Sequence, residues 1–208
     1  MTIQAPPIDE SFAKLPDDPQ IDRAVAALRE NGFVVHVVDT VAAARALVLD
    51  LIPRDQRVFT ATSETLRQSG ITAAIDESED FRSIRREAGR VETPYERIVM
   101  GATPDVIVGS VHAVTEEGHL VAASASGSQL APYAAGARKV IWVVGAQKVV
   151  PDLETALRRI RSYSLPREWR RYQEAYGRPS VIGKILITER ELFPERTTVV
   201  LIKEEIGF

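Results

Sequence analysis

Short apolar runs alternate with segments of helical periodicity along this chain. Residues 106–108 and 140–144 are continuous apolar runs rich in β-branched residues, as is typical of strands buried on both faces. Earlier in the chain, apolar residues at helical spacing over Ile21–Glu30 lead into a strand-like segment at Phe33–Val38. This alternation of helices and strands favours a parallel sheet. We therefore predict an α/β domain with a mainly parallel sheet and helices on both faces.

Both ends of the chain modify this picture. Val181–Thr188 and Thr198–Lys203 have the pattern of strands joined by a turn around Pro194, which predicts an antiparallel edge near the C-terminus. Residues 1–19 contain four prolines and several acidic residues, a composition typical of a loose N-terminal arm. We therefore expect a single α/β domain over residues 20–208.

The composition argues against several classes of function. A net charge of −3 gives no reason to expect binding to nucleic acid or to an anionic membrane. No apolar run approaches the roughly 20 residues of a membrane span, and no signal-peptide pattern is present, so we expect a cytoplasmic location. The absence of cysteine excludes disulfides, thiolate zinc sites and cysteine-ligated iron–sulfur clusters within these 208 residues. The three histidines are dispersed, so no metal site is predicted.

Polar residues follow the predicted strands, where an open α/β sheet forms its ligand crevice. Hydroxyl groups, a glycine that allows close backbone approach, and a lysine ammonium are all suited to a small anion. The predicted ligand-binding residues are Ser63, Thr65, Ser126, Gly127, Ser128 and Lys148. His112, just past a buried strand, is a candidate acid–base group, and Glu117 is a candidate base or nucleophile.

Each candidate also has a simpler structural interpretation. Ser63 fits the N-cap of a helix, and a lysine such as Lys148 is usually a solvated surface charge. A lone histidine after a strand is more often a hydrogen-bonded structural group. Glu117 lies in a segment typical of a hairpin turn, with Gly118 at positive φ. Sequence alone leaves these alternatives open.

A basic patch follows the last predicted central strand. Its members are Arg158, Arg159, Arg161, Arg167, Arg170 and Arg171. Nearby acidic residues at helical spacing favour a salt-bridged helix surface. The arginines nevertheless outnumber these acids, which leaves charge for an anionic ligand or an acidic partner.

Three segments carry motifs in a fixed order. They are Asp105–Gly118, Val144–Val150 and Leu153–Arg161. Together they resemble the LUD-domain family, which includes proteins of lactate utilisation. In that family an Ala-Ile-Thr-x-x-Gly stretch, a Val-Gly-x-x-Lys-Ile-Val stretch and an arginine-bearing helix recur in this order. Weaker similarity extends from about Ser63 to Phe208. The resemblance implies the fold shared by sugar-phosphate isomerases and CoA transferases.

The resemblance also bears on individual candidates. It favours Lys148, since the family carries a lysine at this point of its motif. For Glu117 it offers a parallel, because a glutamate acts as base or nucleophile in CoA transferases of the same fold, but similar family members keep this turn as well, so the resemblance does not separate the turn from the catalytic role. Many relatives have Gly-Asn-Arg where Gly127-Ser128-Gln129 stand here, so either the ligand differs or another arginine binds it.

Two functions are compatible with this resemblance. The first is a cofactor-less component in the utilisation of lactate or another small 2-hydroxy acid, with iron–sulfur partner proteins that carry the electrons. Many stand-alone relatives have a cysteine cluster where residues 176–183 have none, so clusters are expected only on partners. The alternative is a stand-alone enzyme or binder of a small anionic metabolite, such as a sugar phosphate or an acyl-CoA.

Overall fold

The computed structural model describes residues 5–208, which form two β-sheets surrounded by helices. The strands are Val34–Val38 (β1), Arg57–Thr60 (β2), Arg82–Ser83 (β3), Val106–Gly109 (β4), Ala113–Thr115 (β5), Leu120–Ser124 (β6), Lys139–Gly145 (β7), Val149–Val150 (β8), Lys184–Thr188 (β9) and Thr197–Ile202 (β10). The α-helices are Asp18–Glu30 (α1), Val41–Asp50 (α2), Glu64–Gln68 (α3), Ile71–Asp76 (α4), Ile84–Ala88 (α5), Pro94–Ala102 (α6), Leu153–Arg159 (α7) and Leu165–Tyr176 (α8). Short 3-10 or π-helical turns cover Glu10–Ala13, Pro132–Gly136, Ala146–Lys148 and Ile160–Ser164.

The larger sheet has six strands in the order β1-β10-β7-β4-β2-β3, and each pairing in it is parallel. Strands β4 and β10 are buried at every position, and β7 is buried at all but its first residue. This burial is the physical reason for their continuous apolar sequences, since a parallel sheet is covered on both faces. The predicted α/β fold is confirmed.

The smaller sheet has the order β8-β5-β6-β9 and mixed pairing. Strand β9 lies at its edge, antiparallel to β6, with Leu120 opposite Thr188 and Ser124 opposite Lys184. The antiparallel edge predicted near the C-terminus is therefore present, but in this second sheet. Strand β10 instead lies within the parallel sheet, between β1 and β7. Local sequence pattern identifies both strands, but it carries no information about which sheet each one joins.

Helix ends follow the capping pattern of the sequence. Thr40, Ser63 and Asp152 each accept a hydrogen bond from the backbone N–H three residues later, at 3.2, 3.4 and 2.7 Å. Beyond α7 the chain continues through the π-helical turn directly into α8. Within residues 5–208, no helix combines the length and apolar character needed to cross a membrane.

Three apolar clusters connect the layers. One face of the parallel sheet packs against α2, α3 and α4, and its other face packs against α1 and the smaller sheet. The smaller sheet uses its remaining face to pack against α7 and the turn after it. Helices thus cover both faces of the parallel sheet, as predicted, and the smaller sheet forms an additional layer.

Part of the predicted N-terminal arm contacts the body of the domain. The side chain of Phe12 is 8% exposed, and its ring centroid lies 6.4 Å from that of Tyr163. Glu10 forms an exposed ion pair with Arg167, with 2.7 Å between their charged atoms. Residues 1–4 of the arm lie outside the described residues, so its full extent stays a prediction.

Candidate functional site

A cleft of about 360 Å³ lies beyond the carboxyl ends of β2, β4, β6 and β7. Five of the residues selected from the sequence line this one cleft, namely Ser63, His112, Ser126, Ser128 and Lys148. They follow four different strands, and the topology brings these strand ends together, as expected for an open α/β sheet. Residues of α8 and residues 180–182 also line the cleft.

Lys148 lies at the base of the cleft and is only 1% exposed. Its Nζ is 2.8 Å from Thr65 Oγ1, 3.0 Å from Ser110 Oγ and 3.1 Å from the Val111 carbonyl oxygen. Burial, together with the nearby positive charge of Arg159, holds the pKa of Lys148 well below its ordinary value. The alternative of a solvated surface lysine is therefore wrong.

Arg159 is a second buried cation behind the cleft wall, with no exposed surface. Its Nη1 donates to the His112 carbonyl oxygen and to Ser164 Oγ. Its Nε and Nη2 are buried without a hydrogen-bond partner. Burial lowers the pKa of Arg159 to about 10, which leaves the side chain charged at neutral pH.

No ion pair among residues 5–208 includes Lys148 or Arg159. Two acidic residues do line the cleft, but each is matched by a nearby arginine. Glu168 lies 2.7 Å from Arg171, and Glu64 lies 2.8 Å from Arg67. The two buried basic side chains at and behind the base of the cleft therefore lack an ion-pair partner among the described residues.

The arginine patch thus divides into two kinds of residue. Most of its members have half-buried or exposed side chains on the helix surface. Arg171 pairs with Glu168 at helical spacing, whereas Arg167 pairs with Glu10 of the N-terminal arm, so the salt-bridged helix surface is present only in part. Arg159 does not fit that interpretation, because it points into the interior. Sequence periodicity alone does not distinguish Arg159 from the surface arginines. The one signal that includes its position is the arginine-bearing helix of the family motif, at Leu153–Arg161.

His112 lines the cleft in its neutral form. Its Nδ1 accepts a hydrogen bond from the Ala123 backbone N–H at 3.1 Å, which leaves Nε2 to carry the ring proton. Burial and the charges of Lys148 and Arg159 lower the pKa of His112 to about 3. A ring with so low a pKa is a hydrogen-bond donor at neutral pH and a weak base.

The hydroxyl groups selected from the sequence are mostly engaged locally. Ser63 caps α3 through its Oγ, and Thr65 is bound to Lys148 rather than lining the cleft. Ser126 Oγ and Ser128 Oγ lie 3.1 Å apart in the loop after β6, and both residues line the cleft. Gly127 does not line it, but its φ of 88° forms the turn that presents these two serines.

Glu117 is placed away from the cleft, on the exposed hairpin turn between β5 and β6. Gly118 has a φ of 80° and donates its backbone N–H to Thr115, which confirms the predicted turn. Asn31, the residue directly after α1, donates its side-chain amide to the Glu117 carbonyl oxygen at 2.9 Å. The structure therefore brings Glu117 next to α1 and not next to Lys148, His112 or the serine loop.

Several cleft residues were missed by the sequence analysis. Among them are Thr62, Glu64, Ser110, Glu168 and Tyr172. Those of α8 come from a helix distant in sequence from the strand ends, so no strand-end pattern points to them. Among the described residues, no group of three or more histidine, aspartate or glutamate side chains is arranged to hold a metal ion.

Comparisons with known proteins agree with this architecture. The sequence profile of the LUD domain matches residues 21–202. A crystal structure of a DUF162 family protein from Deinococcus radiodurans superposes with a TM-score of 0.55 and 10% sequence identity, covering 91% of this chain and 99% of that one. At this identity the structural likeness shows the fold alone, and no curated protein matches the sequence. The profile match confirms the resemblance seen in the motifs: the chain belongs to the LUD domain family.

Proposed function

We propose that the cleft binds the carboxylate of a small 2-hydroxy acid, with lactate as the first candidate. The observation that carries this proposal is the pair of buried cations, Lys148 and Arg159, without an acidic partner in the described residues. Buried charges in proteins are normally paired, because an isolated ion loses its hydration. A bound carboxylate would supply the missing negative charge at the base of the cleft.

The groups around Lys148 also suit the hydroxyl group of such an acid. Ser110 and His112 line the cleft close to the lysine, and each provides a neutral hydrogen-bonding group. A hydroxyl both donates and accepts hydrogen bonds, so it matches a serine hydroxyl and a histidine N–H. This combination of a cation with neutral donors and acceptors favours a hydroxy acid over a simple dianion.

On this proposal the chain is a cofactor-less component of lactate utilisation, as its family suggests. Oxidation of a hydroxy acid releases two electrons, and these 208 residues contain no cysteine to hold an iron–sulfur cluster. We therefore assign the electron-carrying clusters to partner subunits. Affinity purification from native extract, with iron analysis of the co-purifying proteins, tests this part. Recovery of the chain without an iron-containing partner would contradict it.

The size of the cleft favours a second candidate ligand class. About 360 Å³ falls within the range of roughly 300–1,000 Å³ found for drug-sized ligands, and lactate fills only part of it. A sugar phosphate or the acyl end of a CoA thioester would use more of this volume. In that case the chain is a stand-alone enzyme or binder of a small anionic metabolite.

Titration calorimetry with lactate, propionate, a sugar phosphate and CoA distinguishes these ligand classes. Propionate keeps the carboxylate of lactate but lacks its hydroxyl group. The proposal predicts that lactate binds and that propionate binds more weakly, because a hydrogen bond to the hydroxyl is lost. Binding of the sugar phosphate or of CoA without binding of lactate would support the second candidate instead. Equal binding of lactate and propionate would contradict recognition of the hydroxyl group.

A further inference from the structure

A second cavity of about 420 Å³ adjoins the cleft. It lies between α5, α6 and the segment that follows β2, and two residues, Thr62 and Ser128, line both spaces. Among the described residues, those that line this cavity include Arg85 and Arg97 but no aspartate or glutamate. Neither arginine lines the cleft, so the function proposed above does not account for this cavity.

Arg85 is held in place from the side of β2. Its Nε donates to the Thr60 carbonyl oxygen, and its Nη2 donates to Thr62 Oγ1 at 2.8 Å. Its guanidinium carbon lies 5.3 Å from the centroid of the Phe59 ring. These contacts fix the direction of the guanidinium but leave the N–H donors of Nη1 for a ligand.

Arg97 lines the same cavity from α6. Its Nε and Nη2 donate to the carbonyl oxygens of Val91 and Glu92, at 3.0 and 3.2 Å. Carbonyl oxygens orient the guanidinium without neutralising its charge, and the donors of Nη1 again remain for a ligand.

The charges of both arginines are unpaired. Within residues 5–208, neither Arg85 nor Arg97 has an acidic partner within ion-pair distance. Asp76 acts on Arg85 from a longer distance, but its carboxylate oxygens already accept hydrogen bonds from Thr60 and Ser83. Two oriented, unpaired guanidinium groups beside one open cavity are suited to a phosphate group, because guanidinium donors match phosphate oxygens in geometry and charge.

We propose that this second cavity binds the phosphate group of a ligand whose 2-hydroxy acid end occupies the cleft. The proposal rests on the proposed function for the acid end, and it names the substrate class as a phosphorylated 2-hydroxy acid. The two ligand classes considered above, a hydroxy acid and a sugar phosphate, then describe the two ends of one molecule.

The distribution of charge agrees with such a ligand. The single charge of a carboxylate is matched at the base of the cleft, where Lys148 lies. A phosphate monoester carries about −1.5 to −2 charges at neutral pH, and two arginines are available to it in the second cavity.

The residues between the two spaces suit the hydroxylated carbon chain of a sugar acid. Thr62 Oγ1 accepts from Arg85, so its own proton can be donated to a ligand hydroxyl group. Ser128 provides a second hydroxyl group at the same junction. Neutral donors and acceptors therefore lie where the chain between the carboxylate and the phosphate would pass.

Matched pairs of ligands test this inference by titration calorimetry. D-3-phosphoglycerate and D-glycerate differ only in the phosphate group, and so do 6-phosphogluconate and D-gluconate, which have a longer chain. We expect the phosphorylated member of at least one pair to bind wild type at least about tenfold more tightly than its partner, because charge-assisted hydrogen bonds to the phosphate are added. This ratio of affinities is the phosphate gain.

Three variants assign the phosphate gain to residues. Arg85→Gln and Arg97→Gln should each reduce it by at least about fivefold. Arg97 is exposed and contacts backbone carbonyls of its own segment, so its variant provides the test even if Arg85→Gln fails to fold. Arg90→Gln removes an exposed arginine of the same segment that lines neither space, and it should keep the phosphate gain.

The outcomes separate this inference from the proposed function. Equal affinities within both pairs for wild type would overturn the phosphate site, and lactate binding in the same experiment would leave the proposed function standing. A phosphate gain that all three variants keep, or that Arg90→Gln loses as strongly as the other two, would also overturn the site. A phosphate gain that requires Arg85 and Arg97, without any binding of lactate, would support the phosphate site and contradict the proposed function.

Discussion

The side-chain nitrogen of Lys148 lies 2.8 Å from the hydroxyl oxygen of Thr65, a residue 83 positions earlier in the chain. Thr65 in turn contacts the Ile206 carbonyl oxygen in the C-terminal segment. This link joins α3, the turn after β7 and the chain beyond β10 at the base of the cleft. The position of the lysine therefore depends on three segments that are distant in sequence.

Replacing Thr65 with valine should destabilise the protein. Valine has a similar shape but cannot hydrogen bond, so Lys148 loses one of its three partners in a buried site. A buried polar group left without a partner costs about 1–3 kcal/mol, and we expect the free energy of unfolding to fall by that amount. Urea denaturation measures it. Thr62→Val, at an exposed residue just before α3, loses only a solvent-exposed hydrogen bond from Arg85 and should cost less than about 0.5 kcal/mol. Equal losses in both variants would contradict the buried link.

The buried state of His112 predicts a specific pH dependence of stability. Its pKa is lowered to about 3 in the folded protein, from 6.5 in the unfolded chain. Between these values only the unfolded state binds the proton, so falling pH favours unfolding. His112→Asn removes this group. The stability of wild type relative to the variant should fall by about 2 kcal/mol between pH 7 and pH 5. Parallel stability curves for the two proteins would show that His112 titrates normally.

Gly109, at the end of β4, should not tolerate a side chain. A Cβ atom there would overlap the hydroxyl group of Tyr133, a buried residue of the cleft wall. Such overpacking typically costs about 1–3 kcal/mol, so Gly109→Ala should lower the free energy of unfolding by at least that much. Gly89→Ala is the matched control, because Gly89 is exposed and has helical φ and ψ. Gly89→Ala should leave the stability unchanged or raise it slightly. Thermal unfolding of the two variants measures the difference, and equal melting temperatures would contradict the close contact at Gly109.

Arg159 should contribute to anion binding although it does not line the cleft. The guanidinium lies behind the cleft wall, next to the backbone of His112. A cation at such a buried position should contribute on the order of 1 kcal/mol or more to the free energy of anion binding. Arg159→Gln should therefore weaken lactate binding by at least about fivefold. Arg161→Gln removes an exposed arginine of the same segment and should leave the affinity unchanged. Equal affinities for wild type and both variants, all folded by circular dichroism, would contradict this role.

Much of the fold could be predicted because its elements depend on local pattern. The continuous apolar runs of β4 and β7 reflect burial on both faces, and Thr40, Ser63 and Asp152 cap the helices that follow them. The second sheet could not be predicted in this way. Whether a strand such as β9 pairs with β6 or with the parallel sheet is decided by long-range packing, which local periodicity does not record.

The candidate site was predictable to a similar extent. In an open α/β sheet the ligand crevice forms at the carboxyl ends of the strands, and this rule correctly predicted that Ser63, His112, Ser126 and Lys148 line one cleft. It could not assign Arg159 to the interior, because an arginine on a charged helix has the same sequence pattern whether it faces solvent or the core. It also could not anticipate that Thr65 would bind Lys148 across the cleft base rather than line the cleft.

The central claim is that the buried amine of Lys148 supplies the charge that binds a small carboxylate. The most direct test is calorimetric titration of lactate into wild type, Lys148→Ala and Lys184→Ala, each shown to be folded by thermal denaturation. The account predicts that lactate binds wild type and Lys184→Ala with equal affinity. It predicts at least about tenfold weaker binding to Lys148→Ala, which corresponds to a loss of about 1.4 kcal/mol. Lactate binding to Lys148→Ala as tightly as to wild type, or no binding to wild type, would contradict the account.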